Sequence, residues 1–489
     1  MPVGRTPLTF RLTCKDTRVG SPSVDRPRTA IRHLPCIAAL CVALSAAGCT
    51  PDPSGKVLSF GTSEKVCQLT GDRDWATSAE TTARSGASFG LVGTDLGYPV
   101  EHNGKMALLF GDSRTEPPRN AGASGPPDDA VGWVTTRAPP SEQRCTDMTI
   151  NHSAQRNPIS PVVGPPAIKQ GLFNVPSGGV SSDGVLYAFF WTDHCSGQPN
   201  VPCPESDSLN SIGRGVLARS SDAGQTFVNP VLMPRDFVYS TAVDSKTAVG
   251  LPAEQRIGVY VFGVPRYRES VPYLAYAPLG ATGDPSAWLF FVGRKPDGQP
   301  MWVTRDAWES RPGRVSPPGH PDLFDATDRN RCVGEFSVTW NSALHAWLLL
   351  YNCNLSETSQ VVLARVAPAP WGPWSGASVM LNPHRDDSWC HLLWKAPGKG
   401  NGCDTREDEW GGSPETAGKL DGAFYAPFVM ERYSTPVRTF MPYRRSATIY
   451  WLLSTWNPYQ VIVMKTTLTV DETSPVVRAV IDRAALPTR

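Results

Sequence analysis

Two aspartates early in the chain stand among glycines, Asp95 in Gly93-Thr94-Asp95-Leu96-Gly97 and Asp112 in Leu109-Phe110-Gly111-Asp112-Ser113. Glycine has no Cβ, so backbone and ligand approach closely at such positions. Met106–Phe110 reads as an apolar strand, and Glu101-His102-Asn103-Gly104 as a hairpin turn before it. That spacing places the two carboxyls on adjacent strands, near the same end. Two carboxyl groups facing across a bond are what glycoside hydrolysis requires: one ionised as base or nucleophile, the other protonated as acid. Glu335 follows Gly334 at the start of an apolar strand, an unusual core position for an acid, and is the reserve candidate. Arg268 is a candidate for orienting a carboxylate or lowering its pKa. Trp456, Asn457 and Tyr459 lie in a polar break between two apolar strands and offer an aromatic platform with amide and phenol donors. Each acid also has a plainer reading. Asp95 and Asp112 are turn residues by type, and Glu335 is a ready ion-pair partner for Arg268 or Arg331, since buried acids are usually paired. His194, in Trp191-Thr192-Asp193-His194, fits an exposed loop better than a catalytic role.

The elements that must position these residues are strands. From Phe89 onward, short apolar runs alternate with Gly, Pro, Asn and Asp. They include Val185–Trp191, Gly215–Arg219, Ile257–Phe262, Tyr273–Tyr276, Trp288–Val292, Glu335–Trp340, Ala346–Tyr351, Val361–Val366, Phe424–Glu431, Thr448–Leu453 and Gln460–Thr466. Most hold four to eight residues rich in β-branched and aromatic types, as strands do. Gly and Pro number 43 and 47 and are dispersed, which gives many turns and argues against long helices. Only Val476–Ala485 shows a weak helical period. The fold class is therefore all-β.

Two signals choose among all-β folds. Ser220-Ser221-Asp222-Ala223-Gly224-Gln225-Thr226-Phe227 resembles the Asp box of sialidase-like β-propellers, a turn joining the outer two strands of a blade. There Asp222 bonds the turn's own amides, Gly224 takes a positive φ and Phe227 packs between blades. Hairpin units also recur around residues 89–137, 173–230, 256–305, 332–376 and 422–467. Five units predict a five-bladed β-propeller with long inter-blade loops, a pair of β-sandwiches being the other architecture that fits. Trp371-Gly372-Pro373-Trp374 reads as an interblade turn.

The first 49 residues read as a targeting segment. Seven basic residues precede the apolar run Leu34–Gly48, which ends at Cys49. Ala46-Ala47-Gly48-Cys49 resembles a bacterial lipobox, which implies lipidation of Cys49 and a membrane contact through that anchor. An anchor that is never cleaved is the alternative. Residues 50–87 read as an N-terminal arm, 88–470 as the propeller and 471–489 as a C-terminal tail. Eight cysteines lie beyond Cys49, an even number that suits disulfides in an exported protein. Spacing suggests Cys195–Cys203, Cys390–Cys403 and Cys332–Cys353, leaving Cys67 with Cys145 by elimination; free buried thiols are the other reading.

Charge and motifs exclude several classes. Lys plus Arg is 46 against 45 Asp plus Glu, with no clustered basic excess, so no nucleic-acid partner is expected. The first 48 residues hold seven of those bases and two of the acids, so the remainder is mildly acidic and suits a neutral polysaccharide. No cysteine pair has zinc spacing, and the acidic run Asp404–Glu409 lacks calcium-loop spacing, so neither metal nor cofactor is expected. There is no G-x-S-x-G elbow, H-E-x-x-H or P-loop.

Several segments together resemble the family catalogued as domain of unknown function 4185. They are Gly93–Gly97, Leu109–Ser113, Val175-Pro176-Ser177-Gly178-Gly179 with Leu186-Tyr187, Tyr267–Ser270, Gly334–Val338, Tyr425-Ala426-Pro427 and Leu453–Val461. Their order is collinear over roughly residues 88–470. The resemblance implies a five-bladed propeller related to sialidases and arabinanases. Part of that family forms glycoside hydrolase family 183, endo-acting D-arabinanases that cut mycobacterial arabinan. The expectation is an exported envelope lipoprotein or secreted hydrolase acting on a cell-envelope polysaccharide, with D-arabinan favoured. A non-catalytic glycan-binding or scaffold propeller is the alternative. A sialidase-like enzyme is weaker, since it needs Arg266, Arg268 and Arg331 to converge on a substrate carboxylate.

Overall fold

The structure is a computed structural model. It describes residues 56–472 except 116–127, 152–173, 193–213, 235, 266–269, 311–321, 326–327, 329, 355–359, 384–391, 393–422, 440–442 and 457. The predicted disulfides Cys195–Cys203 and Cys390–Cys403, the lipobox, His194, Asp404–Glu409 and the weak helix at 476–485 lie outside the described residues.

Strands β1 (Lys56–Phe60) and β2 (Glu64–Gln68) open the described chain. The first blade is β3 (Gly93–His102), β4 (Lys105–Arg114), β5 (Asp128–Val134) and β6 (Thr149–Ile150). The second is β7 (Asn174–Ser182), β8 (Val185–Thr192), β9 (Arg214–Ser220) and β10 (Val228–Leu232). The third is β11 (Tyr239–Asp244), β12 (Gly258–Val264), β13 (Tyr273–Pro278), β14 (Leu289–Arg294) and β15 (Pro300–Thr304). The fourth is β16 (Phe336–Asn341), β17 (Ala346–Asn354), β18 (Gln360–Ala367) and β19 (Ser378–Leu381). The fifth holds β20 (Ala423–Val429), β21 (Thr435–Val437), β22 (Arg444–Trp456) and β23 (Gln460–Glu472). Every strand pairing among the described residues is antiparallel, and the first strand of each blade packs on the first strand of the next: β3 on β7, β7 on β11, β11 on β16, β16 on β20, and β20 back on β3. This is a five-bladed propeller. The ring closes because β1 and β2, which precede the first blade in the chain, pair with β23 as the outer edge of the fifth blade.

The sequence explains where each strand sits. Middle strands are buried on both faces and are apolar throughout, as in Gly258–Val264, where all seven residues are buried. Inner strands instead carry Gly, Ser and Thr, because neighbouring backbones crowd the axis. A Cβ on Gly178 would lie 2.6 Å from the Ser240 carbonyl oxygen and 2.9 Å from Thr241 Cα. Small hydroxyls then satisfy backbone groups left unpaired at bulges. Ser177 Oγ donates to the Ser240 carbonyl at 2.9 Å, linking the second and third blades. Ser337 Oγ donates to the Pro427 carbonyl at 3.0 Å, and the Val429 amide donates back at 3.1 Å, linking the fourth and fifth. Tyr98 and Thr241 share a hydroxyl–hydroxyl bond from the first inner strand to the third.

The turn signals behave as their residues require. The Asp222 turn joins β9 to β10: Asp222 accepts from the Thr226 amide at 3.0 Å and the Thr226 hydroxyl at 2.6 Å, and Gly224 has φ 73°. Phe227 is fully buried, edge-on to Phe190 at 5.8 Å. Trp371 and Trp374 turn out of the fourth blade onto the third, meeting Tyr260 and Phe262, each at 6.3 Å. Two of the four expected disulfides are seen. Cys332–Cys353 joins the approach to β16 to β17, and Cys67–Cys145 ties β2 to the first blade.

Candidate active site

Asp95 lies on β3, opposite Gly111 of β4, and Asp112 is the next residue along β4. The pairing of β3 with β4 is interrupted on either side of Asp95, between Gly93 and Asp95 and again between Leu96 and Tyr98. Such bulges bend a strand and re-aim its side chains. Leu96 (φ 60°), Asp112 (φ 41°) and Ala426 (φ 54°) occupy the left-handed region without being glycine. Each such residue costs about 1–3 kcal/mol, and such strain gathers at functional sites. Gly111 makes room for this geometry. A Cβ there would sit 2.5 Å from Val175 Cγ1 and 3.0 Å from Asp95 Oδ1.

The fourth and fifth blades supply the remaining groups. Glu335, 2% exposed, directly precedes β16, and its carbonyl accepts from the Asn352 amide of β17 at 3.2 Å. Asn352 Oδ1 in turn accepts from the Ala426 amide of β20 at 3.2 Å. The neighbouring Tyr425 hydroxyl donates to Asp95 Oδ2 at 2.8 Å. The Tyr459 hydroxyl, from the turn between β22 and β23, bonds the same carboxyl.

The electrostatics follow from this enclosure. Burial pushes Asp95 well above the ordinary carboxyl range, and the charges of Asp112 and Glu335 push it the same way; the two phenol donors oppose this without cancelling it. Asp95 Oδ1 is buried with no hydrogen-bond partner. Burial raises Asp112 to about 6, against the pull of Arg114. Asp112 is half-buried, whereas Asp95 is 8% exposed. Burial also raises Tyr459 far above the usual phenol range, so it stays a hydroxyl donor. The site therefore holds two neighbouring carboxyls that burial pushes above the ordinary range, the kind of environment in which acid–base pairs are found.

The sequence model of the family described as Domain of unknown function (DUF4185) matches residues 80–465. The chain belongs to this family. No curated protein matches it. Among solved structures, it is similar to a Bacteroides ovatus protein, with 11% identity and TM-score 0.45 over 78% of this chain and 86% of that one. It is also similar to the catalytic domain of a GH62 α-L-arabinofuranosidase from Coprinopsis cinerea, with 10% identity and TM-score 0.35 over 83% and 97% of the two chains. An α-L-arabinofuranosidase from Podospora anserina, in complex with cellotriose, gives 10% identity and TM-score 0.33 over 82% and 97%.

In this DUF4185 chain the three acids singled out by sequence come together, close enough for the charges of Asp112 and Glu335 to act on Asp95. Trp456 is half-buried at the end of β22, edge-on to Tyr459 at 5.1 Å. Tyr459 itself is 2% exposed, and its hydroxyl is taken up by Asp95. Asn457 and Arg268 lie outside the described residues, as does Arg266. Arg331 Nη2 pairs with Asp322 at 2.6 Å, and its Nη1 donates to the Asp325 carbonyl. Sequence reasoning missed Tyr425. A tyrosine inside an apolar strand reads as core; its one signal is the following Ala426-Pro427, where proline interrupts the ladder and β20 bulges between Tyr425 and Phe428. Among the described residues, no group of three or more His, Cys, Asp or Glu is arranged to hold a metal ion.

Proposed function

We propose that this protein is a glycoside hydrolase of the cell envelope that cuts a polysaccharide, D-arabinan in the first instance. The observation that carries the reading is the acid cluster: Asp95 and Asp112 from the first blade beside Glu335 of the fourth, with burial pushing Asp95 well above the ordinary carboxyl range and Asp112 up to about 6. In this reading Asp112, the more open of the pair, is the base or nucleophile. Asp95 is the acid that protonates the leaving oxygen. Glu335 adds negative charge that helps keep the proton on Asp95. Trp456 lies beside the cluster and is the sugar platform. D-arabinan is chosen because the chain's motifs resemble those of the family that includes endo-D-arabinanases.

Export is part of the proposal. It rests on the basic and apolar N-terminal segment, Cys49 and the two disulfides. No described helix is long and apolar enough to cross a membrane. The membrane contact proposed is a lipid on Cys49. Metabolic labelling with a palmitate analogue tests it: labelled wild type and unlabelled Cys49→Ala are expected, and equal labelling of both contradicts it. The hydrolase reading is tested by incubating the purified protein with arabinogalactan and following the oligosaccharides released.

A further inference from the structure

Asp95 is gripped by the fifth blade as firmly as by its own. Tyr425 reaches it from β20 at 2.8 Å. Tyr459 bonds the carboxyl through its hydroxyl, and its carbonyl accepts from the amide of the neighbouring Thr94 at 3.2 Å. The Tyr459 turn is itself fixed from the chain start. Thr70 Oγ1 donates to Gln460 Oε1 at 2.8 Å, the Val461 amide donates to Thr70 Oγ1 at 2.9 Å, and Gln460 Nε2 donates to the Val92 carbonyl at 2.9 Å. Two buried phenols thus bond one carboxyl, whose Oδ1 is enclosed against Gly111.

We propose that Tyr425 and Tyr459 are positioning residues that clamp the Asp95 carboxyl and fix the direction in which it presents its catalytic proton. The proposal rests on the reading of Asp95 as the acid. The groups facing Asp95 are Asp112 from β4, Glu335 ahead of β16, Tyr425 from β20 and Tyr459 from the last turn, and Arg114 acts on Asp112. Phenol donors favour the ionised carboxyl. Removing one makes Asp95 hold its proton to higher pH and frees its carboxyl to rotate.

The experiment uses the full-length protein as wild type, Tyr425→Phe and Tyr459→Phe, with Tyr433→Phe as a remote control. Aspartate carboxyls labelled with carbon-13 are titrated by NMR, the Asp95 signal being the one absent in Asp95→Asn. The same variants are assayed for glycan release across pH. The expected result is an Asp95 midpoint moved upward in either clamp variant, the alkaline limb of kcat/KM moved with it, and kcat lowered about 10- to 100-fold with KM little changed. Tyr433→Phe leaves all three unchanged. An Asp95 midpoint that stays or falls in the clamp variants overturns the clamp. If Tyr459→Phe does not fold, Tyr425→Phe carries the same test. Wild-type protein that releases no glycan removes the hydrolase reading, while the titration still decides whether the phenols hold Asp95.

Discussion

Burying a carboxyl beside two others is unfavourable for a folded chain at neutral pH, and Asp95 is in that position. A carboxyl whose folded pKa is raised stabilises the fold fully below its unfolded pKa, near 4, and that contribution is lost as pH rises through the folded value. Asparagine keeps the shape and the acceptor for the phenols without the charge. Asp95→Asn should therefore raise the melting temperature at pH 7.5 while removing glycan release, and a variant that melts lower at that pH contradicts this account of burial. Asp112 sets the other limit. Because it must be ionised to act as base, kcat/KM should rise with pH through about 6; a rate that falls across that range assigns the roles wrongly. Gly111→Ala forces a methyl against Val175 and Asp95. It should destabilise the protein by about 1–3 kcal/mol and lower the rate more than a comparable core change, as denaturant melts and initial rates can compare. Asp95 and Asp112 stand out as candidates in the sequence because glycines flank them. Tyr425 does not, because its chemistry depends on a partner 330 residues away in the chain.

At the scale of elements, hydrophobic pattern located the middle strands and lost part of the inner ring. The run Tyr239–Asp244 does not read as a strand, since Ser240 and Thr241 are polar by type, although both are buried. The crowding that makes Gly178 and Ser177 necessary also erases the alternation by which strands are recognised. The Asp222 turn was legible in full, because its bonds are all local. Asp222→Ala should cost about 1–2 kcal/mol in a denaturant melt and leave glycan release unchanged. A loss of activity without a loss of stability would give that turn a role the structure does not.

At the scale of the whole molecule, the segment 56–70 completes the fifth blade, and it also fixes the turn that holds Tyr459. Repeats and motifs in the sequence give the blade count; which strand closes the ring is a long-range pairing that local pattern does not encode. The Cys67–Cys145 disulfide, spanning 78 residues, fastens that closure to the first blade. Replacing both cysteines by alanine should destabilise the protein by about 2–4 kcal/mol, read as a lowered denaturant midpoint; an unchanged midpoint would show that strand pairing alone closes the ring. The central claim is that three acids from two blades make a glycosidase. The most direct measurement is chromatography of arabinogalactan and lipoarabinomannan digests by wild type, Asp95→Asn and Asp112→Asn. The account predicts a ladder of arabino-oligosaccharides from wild type and none from either variant. A ladder that survives both substitutions, or glycan bound by the wild type but never cut, contradicts it.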